Sequence, residues 1–116
     1  QLMKQILKEL NREAGVVGSM VVTPDGMVVA SELGPSLDED TVAALAAHML
    51  GGVKKAMSMV GEQTATQFEI TSDFGRMVFL DVGPAYLVVV AHQNVNVDQT
   101  MIAIRSAAYK ITHRRA

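Results

Sequence analysis

Residues 16–31 read Val16-Val17-Gly18-Ser19-Met20-Val21-Val22-Thr23-Pro24-Asp25-Gly26-Met27-Val28-Val29-Ala30-Ser31. Two β-branched runs flank a Pro-Asp-Gly triplet, and a glycine after an aspartate is the residue pair that turns a chain tightly enough to pair such runs. The stretch therefore predicts a hairpin, with a strand over Val16–Thr23, a turn at Pro24–Gly26 and a second strand over Met27–Ser31.

Before the hairpin, Leu2, Met3, Ile6, Leu7, Leu10 and Ala14 recur at three- and four-residue steps, the spacing of one helix face, and Gly15 marks its end. After it, Glu32–Leu37 holds Gly34-Pro35-Ser36 and reads as a loop. Asp38, Glu39 and Asp40 then crowd a helix start, where carboxylates suit the free amides and the dipole. This second helix is expected to reach Val60 and stop at Gly61. Strand-like runs follow at Ala65–Thr71, Arg76–Val82 and Tyr86–His92, joined by Ser72-Asp73-Phe74-Gly75 and Gly83-Pro84-Ala85. Connections that short make an antiparallel meander. Val97, Met101, Ile104, Ala108 and Ile111 form the stripe of a last helix over Asn96–Thr112. The expected order is α-β-β-α-β-β-β-α.

Composition places the strands. The first, fourth and fifth are apolar on both alternating faces, as strands covered on both sides must be. In the third, Thr66, Phe68 and Ile70 alternate with Gln67, Glu69 and Thr71, which marks a half-exposed edge. Joining the hairpin to the meander through their most apolar members predicts a five-stranded antiparallel sheet in the order 2-1-5-4-3, with helices on both faces, an α/β (α+β) architecture.

The second helix carries Ala43-Ala44-Leu45-Ala46-Ala47-His48-Met49-Leu50-Gly51-Gly52. Each glycine costs roughly 1 kcal/mol relative to alanine in a helix interior. At 100° per residue, Val42, Leu45, Ala46, Met49, Val53, Ala56, Met57 and Val60 share one side and are expected to pack on the sheet. Ala44, Ala47, Gly51 and Ser58 fall opposite, flanked by Asp40, His48, Lys54 and Lys55. Helix propensity alone would also select the alanines, but not two adjacent glycines. Small side chains there let a second backbone approach. With an open third strand beside them, the economical partner is another copy of the chain, a two-fold axis setting helix beside helix and edge beside edge in one continuous sheet. The candidate contact residues are Ala44, Ala47, His48, Gly51, Lys54, Lys55 and Ser58 on the helix and Gln67, Glu69 and Thr71 on the strand.

Length and composition agree. A chain of 116 residues, 49% hydrophobic and 19% charged, is sized for one globular domain over 1–116. No apolar run approaches the roughly 20 residues that span a bilayer. Cysteine is absent and no signal-peptide pattern opens the chain, so a cytoplasmic location is expected, and a start at Gln1 rather than Met suggests that amino-terminal sequence is missing. A net charge of −2 argues against bulk attraction to nucleic acid or an anionic membrane, while leaving room for a local patch. Such a patch is expected where Lys4, Lys8 and Arg12 on the first helix meet Arg105, Lys110, Arg114 and Arg115 on the last, if both cover the same sheet face; Glu32, Asp38, Glu39 and Asp40 lie elsewhere.

In element order, in the hairpin Gly18–Ser31 with its Asp25-Gly26 turn, and in the Ala- and Gly-rich second helix, the chain resembles the roadblock/dynein light chain domain family over nearly its whole length, and within it the bacterial and archaeal members similar to gliding-motility GTPase regulators. The resemblance implies a dimer built through the second helix and third strand. It also implies a non-enzymatic regulator or scaffold of small Ras-like GTPases, with no cofactor.

Catalytic patterns are absent from the sequence. No Gly-x-x-x-x-Gly-Lys-[Ser/Thr] loop occurs, so nucleotide hydrolysis by that route is not expected. Gly15-Val16-Val17-Gly18-Ser19 opens a hairpin instead of the strand-turn-helix that a nucleophile elbow requires. His48, His92 and His113 lie in separate elements without ligand spacing, and Asp73, Asp81 and Asp98 read as turn, strand-end and helix-start residues. The alternative function is a small-molecule sensor of related architecture, which requires an apolar pocket between sheet and helix. Only 4% of residues are aromatic, and the methionines suffice to fill a core.

Overall fold

The structure, a computed structural model, describes residues 2–62, 65–73 and 75–114, apart from the side chain of Val97. Along the chain lie α1 (Leu2–Leu10), β1 (Val16–Val22), β2 (Val28–Leu33), α2 (Glu39–Met59), β3 (Gln67–Ser72), β4 (Gly75–Asp81), β5 (Tyr86–Ala91) and α3 (Val97–Thr112). The strands form one antiparallel sheet in the order β2-β1-β5-β4-β3, as strand composition predicts.

Because side chains alternate, each central strand feeds two cores. Val21, Val78, Leu80, Leu87 and Val89 meet α1 and α3 through Ile6, Leu7, Leu10, Ile104 and Ile111. Met20, Val22, Phe79 and Val88 meet α2 through Val42, Ala43, Ala46 and Leu50, with Phe68 and Ile70 of β3 packed against that cluster. The Phe68 and Phe79 rings, paired across β3 and β4, stack with centroids 4.4 Å apart.

Several boundaries differ from those expected. The first helix stops at Leu10; Ala14 is exposed and the chain turns through Gly15 into β1. The strand β2 continues through Glu32 and Leu33, where a loop was expected, because these residues pair with Ser19 and Gly18. Asn11 secures this end by donating from Nδ2 to the Glu32 carbonyl at 2.7 Å, while its Oδ1 accepts from the fully buried Ser19 hydroxyl at 2.7 Å. Asn11→Ala strands both groups, leaving Ser19 a 3.5 Å contact to the Leu7 carbonyl. The expected cost is about 1–3 kcal/mol, read from chemical denaturation, and adding Ser19→Ala should recover part of it. The third strand begins at Gln67, two residues late, and Phe74 in the expected turn lies outside the described residues.

Asp38 caps α2, accepting from the Thr41 amide at 2.9 Å and hydroxyl at 2.8 Å, and the hydroxyl bond before the amide bond holds its carboxyl below the ordinary carboxylate value. Val60 closes the helix and Gly61, at φ +84°, turns the chain away in a conformation that favours glycine.

Candidate functional site

The second helix is rotated from its expected setting. Ala43 and Leu50, absent from the expected packing side, are buried, whereas Leu45 is 42% exposed and Ala56 also faces out; Val60, also expected to pack, is the C-cap past the last helical residue and is exposed there. Gly26 supplies the reason. At φ +94° it lets the β1–β2 turn close, and a Cβ there would sit 2.9 Å from the Ala47 Cβ and 3.6 Å from the Ala43 carbonyl. The hairpin turn thus presses on the Ala43–Ala47 side of the helix, and two of its alanines are used inside the chain.

The candidate helix residues separate accordingly. Ala47 is half-buried against the turn. Ala44, His48, Gly51, Lys54, Lys55 and Ser58 are exposed, Ser58 donating to the Lys55 carbonyl at 2.7 Å. Gly51 and Gly52 meet no other atoms within 4 Å of an added Cβ, so nothing in the chain requires either to be glycine. Leu45 and Met59, the latter 80% exposed, share the outward side with them. These apolar positions, with Gly52 and Ala56, extend the outer face beyond the stripe expected from sequence. The signal that finds them is the burial of Leu50 together with Ala43, which swings Leu45 and Met59 outward.

At β3, Gln67, Glu69 and Thr71 are exposed on the edge strand. They do not join the α2 residues. Phe68 and Ile70 face the α2 core, so strand alternation aims Gln67, Glu69 and Thr71 at the opposite side of the sheet. There Gln67 accepts from Arg105 of α3 at 3.4 Å and Glu69 pairs with Arg76 at 3.3 Å. What β3 shares with the outer face of α2 is its open backbone edge.

Other candidate chemistry is dispersed. His92 and Asp73 line an open depression of about 610 Å³ with Glu13, where the α1–β1, β3–β4 and β5–α3 connections meet. Among the described residues no hydrogen bond joins these three, and no group of three or more His, Cys, Asp or Glu converges to hold a metal ion. Between α2 and the sheet, the cleft lined by Leu50, Val53, Phe68 and Tyr86 measures about 200 Å³, below the roughly 300–1,000 Å³ of ligand pockets.

Comparison with known proteins adds the family. Its Roadblock/LC7 domain model matches residues 2–91, from α1 to the end of β5. The chain belongs to the Roadblock/LC7 domain family. This Roadblock/LC7 domain is 36% identical over 110 residues to the uncharacterised protein MJ1340 of Methanocaldococcus jannaschii, covering 95% of this chain and 96% of that one. Its fold is similar to that of MglB from Myxococcus xanthus, with a TM-score of 0.85 at 18% identity, over 95% of this chain and 84% of that chain. It is likewise similar to the gliding protein MglB from Thermus thermophilus, with a TM-score of 0.82 at 18% identity, over 95% and 85% of the two chains. Among the described residues no helix is long and apolar enough to cross a membrane.

Proposed function

We propose that residues 1–116 form one Roadblock/LC7 domain that works without catalysis, in the cytoplasm, as a homodimeric regulator or scaffold binding a small Ras-like GTPase. The observation that carries this reading is the outer face of α2, where Gly51 and Gly52 are open and Leu45 and Met59 are exposed. A lone chain has no use for such a face. Two copies related by a two-fold axis would bury it, and would give the β3 edge a partner strand. The partner class rests on the resemblance to gliding-motility regulators, which the fold likeness to gliding proteins supports.

The geometry gives the small-molecule alternative less support, since the cleft under α2 is small and the larger depression, formed by connections outside the space between α2 and the sheet, is open. The test is a pull-down with the whole chain as bait. It is expected to retain a protein carrying a Gly-x-x-x-x-Gly-Lys-[Ser/Thr] loop, and to lose it when Leu45 and Met59 are both changed to Asp. Retention of no such protein overturns the partner assignment, and retention unaffected by the double substitution overturns the surface.

A further inference from the structure

The face opposite α2 has a character of its own. Both α1 and α3 cover that side of the sheet. On these helices and just past their ends stand six cations, Lys4, Lys8, Arg12, Arg105, Lys110 and Arg114, against three carboxylates of the same segments, Glu9, Glu13 and Asp98. Of the chain's other nine Asp and Glu, Glu32 reaches this side to pair with Lys4 and Glu69 to pair with Arg76, and seven lie in other segments, as do Lys54 and Lys55. Most of the cations of an acidic protein thus stand on one side.

Two of the cations are engaged, Lys4 with Glu32 at 3.5 Å and Lys110 with Glu9 at 3.4 Å. Among the described residues Lys8, Arg12, Arg105 and Arg114 have no carboxylate partner. Lys4 and Lys8 stand one turn apart on α1, and Arg12 is exposed in the turn that follows it. The crest of α3 carries Ile102, Ser106 and Tyr109, with Ile102 72% and Tyr109 64% exposed, and the Tyr109 ring stacks on His113 with centroids 3.9 Å apart. Protruding apolar side chains among unpaired cations are what an amphipathic helix presents to a lipid interface.

We propose that the paired outer faces of α1 and α3 dock the protein on an anionic phospholipid surface, the cations meeting headgroups while Ile102 and Tyr109 enter the interfacial layer. Charge complementarity selects an acidic occupant, and shape selects lipid over a folded acidic protein. A protein partner needs pockets for its anchoring side chains. The cleft between α1 and α3 measures about 90 Å³, and the apolar groups stand on a convex crest. A bilayer needs only net charge and groups able to enter it. Asp38, Glu39 and Asp40 at the start of α2, repelled by the same headgroups, would turn that helix away from the lipid.

The test is co-sedimentation of the intact protein with phosphatidylcholine vesicles, with and without phosphatidylserine. Binding is expected for the mixed vesicles, not for phosphatidylcholine alone, and should vanish in high salt. Lys8→Ala and Arg12→Ala should each weaken it about five-fold. Ile102→Ser with Tyr109→Ser should weaken it about ten-fold. Ser106→Lys, at an exposed position on the crest, should strengthen it about five-fold. The proposal is overturned if wild type ignores the mixed vesicles, if neutral vesicles sediment it equally, or if the charge substitutions leave binding unchanged. Wild type that ignores vesicles but binds polyglutamate, and loses it in the same variants, assigns the face to an acidic polypeptide instead.

Discussion

Phe79→Ala is expected to remove about 3–5 kcal/mol of folding stability, measured by chemical denaturation. The ring is fully buried on β4, stacked on Phe68, in the cluster that joins Met20, Val22 and Val88 of the sheet to Ala46 and Leu50 of α2. Truncation opens a cavity that this cluster cannot close, because its floor is strand backbone held by ladders on both sides. It also leaves Phe68, on the edge strand, without its stacking partner. A domain of this size has a total of about 5–15 kcal/mol, so the variant stands near the limit of folding. Phe79→Leu keeps most of the volume and should retain most of the stability.

Gly51→Leu is expected to leave folding intact and abolish self-association. Within the chain an added Cβ meets nothing within 4 Å, so the substitution removes a helix-interior glycine and should stabilise the isolated helix by up to about 1 kcal/mol. A leucine projecting from the outer face would hold a second helix away. Light scattering should then report half the wild-type mass while the thermal midpoint stays level or rises. A variant that retains the wild-type dimer removes the outer face of α2 from the proposed interface. A wild type that is monomeric at high concentration removes the dimer itself.

The sheet order is legible in the sequence because strand composition reports burial on two faces. Val16–Val22, Gly75–Asp81 and Tyr86–Ala91 carry apolar residues at both parities and lie in the middle, while Gln67, Glu69 and Thr71 mark the edge. The rotation of α2 is not legible by the same means. Ala43, Ala44, Ala46 and Ala47 are small enough for either side, so periodicity alone leaves the helix free to turn. The tie is broken by Gly26, whose close approach to Ala47 belongs to tertiary structure. The separation of Gln67, Glu69 and Thr71 from α2 could have been drawn from the strand alone, since Phe68 and Ile70 must face the core and their neighbours must then face away. The basic side of the molecule was open to sequence only as a condition, which the placement of α1 and α3 on one sheet face satisfies. Arg115, part of that expectation, lies outside the described residues.

The β1–β5 ladder pairs Met20 with Val88 and Val21 with Leu87, joining the hairpin to the meander across most of the chain's length. Each of those two halves can assemble from neighbours in sequence, but their seam demands the closure of a long intervening loop that includes all of α2. Nonlocal closure of this kind slows folding. The centre of the sheet is thus expected to zip last and, once zipped, to keep its amides shielded from hydrogen exchange until the whole molecule opens.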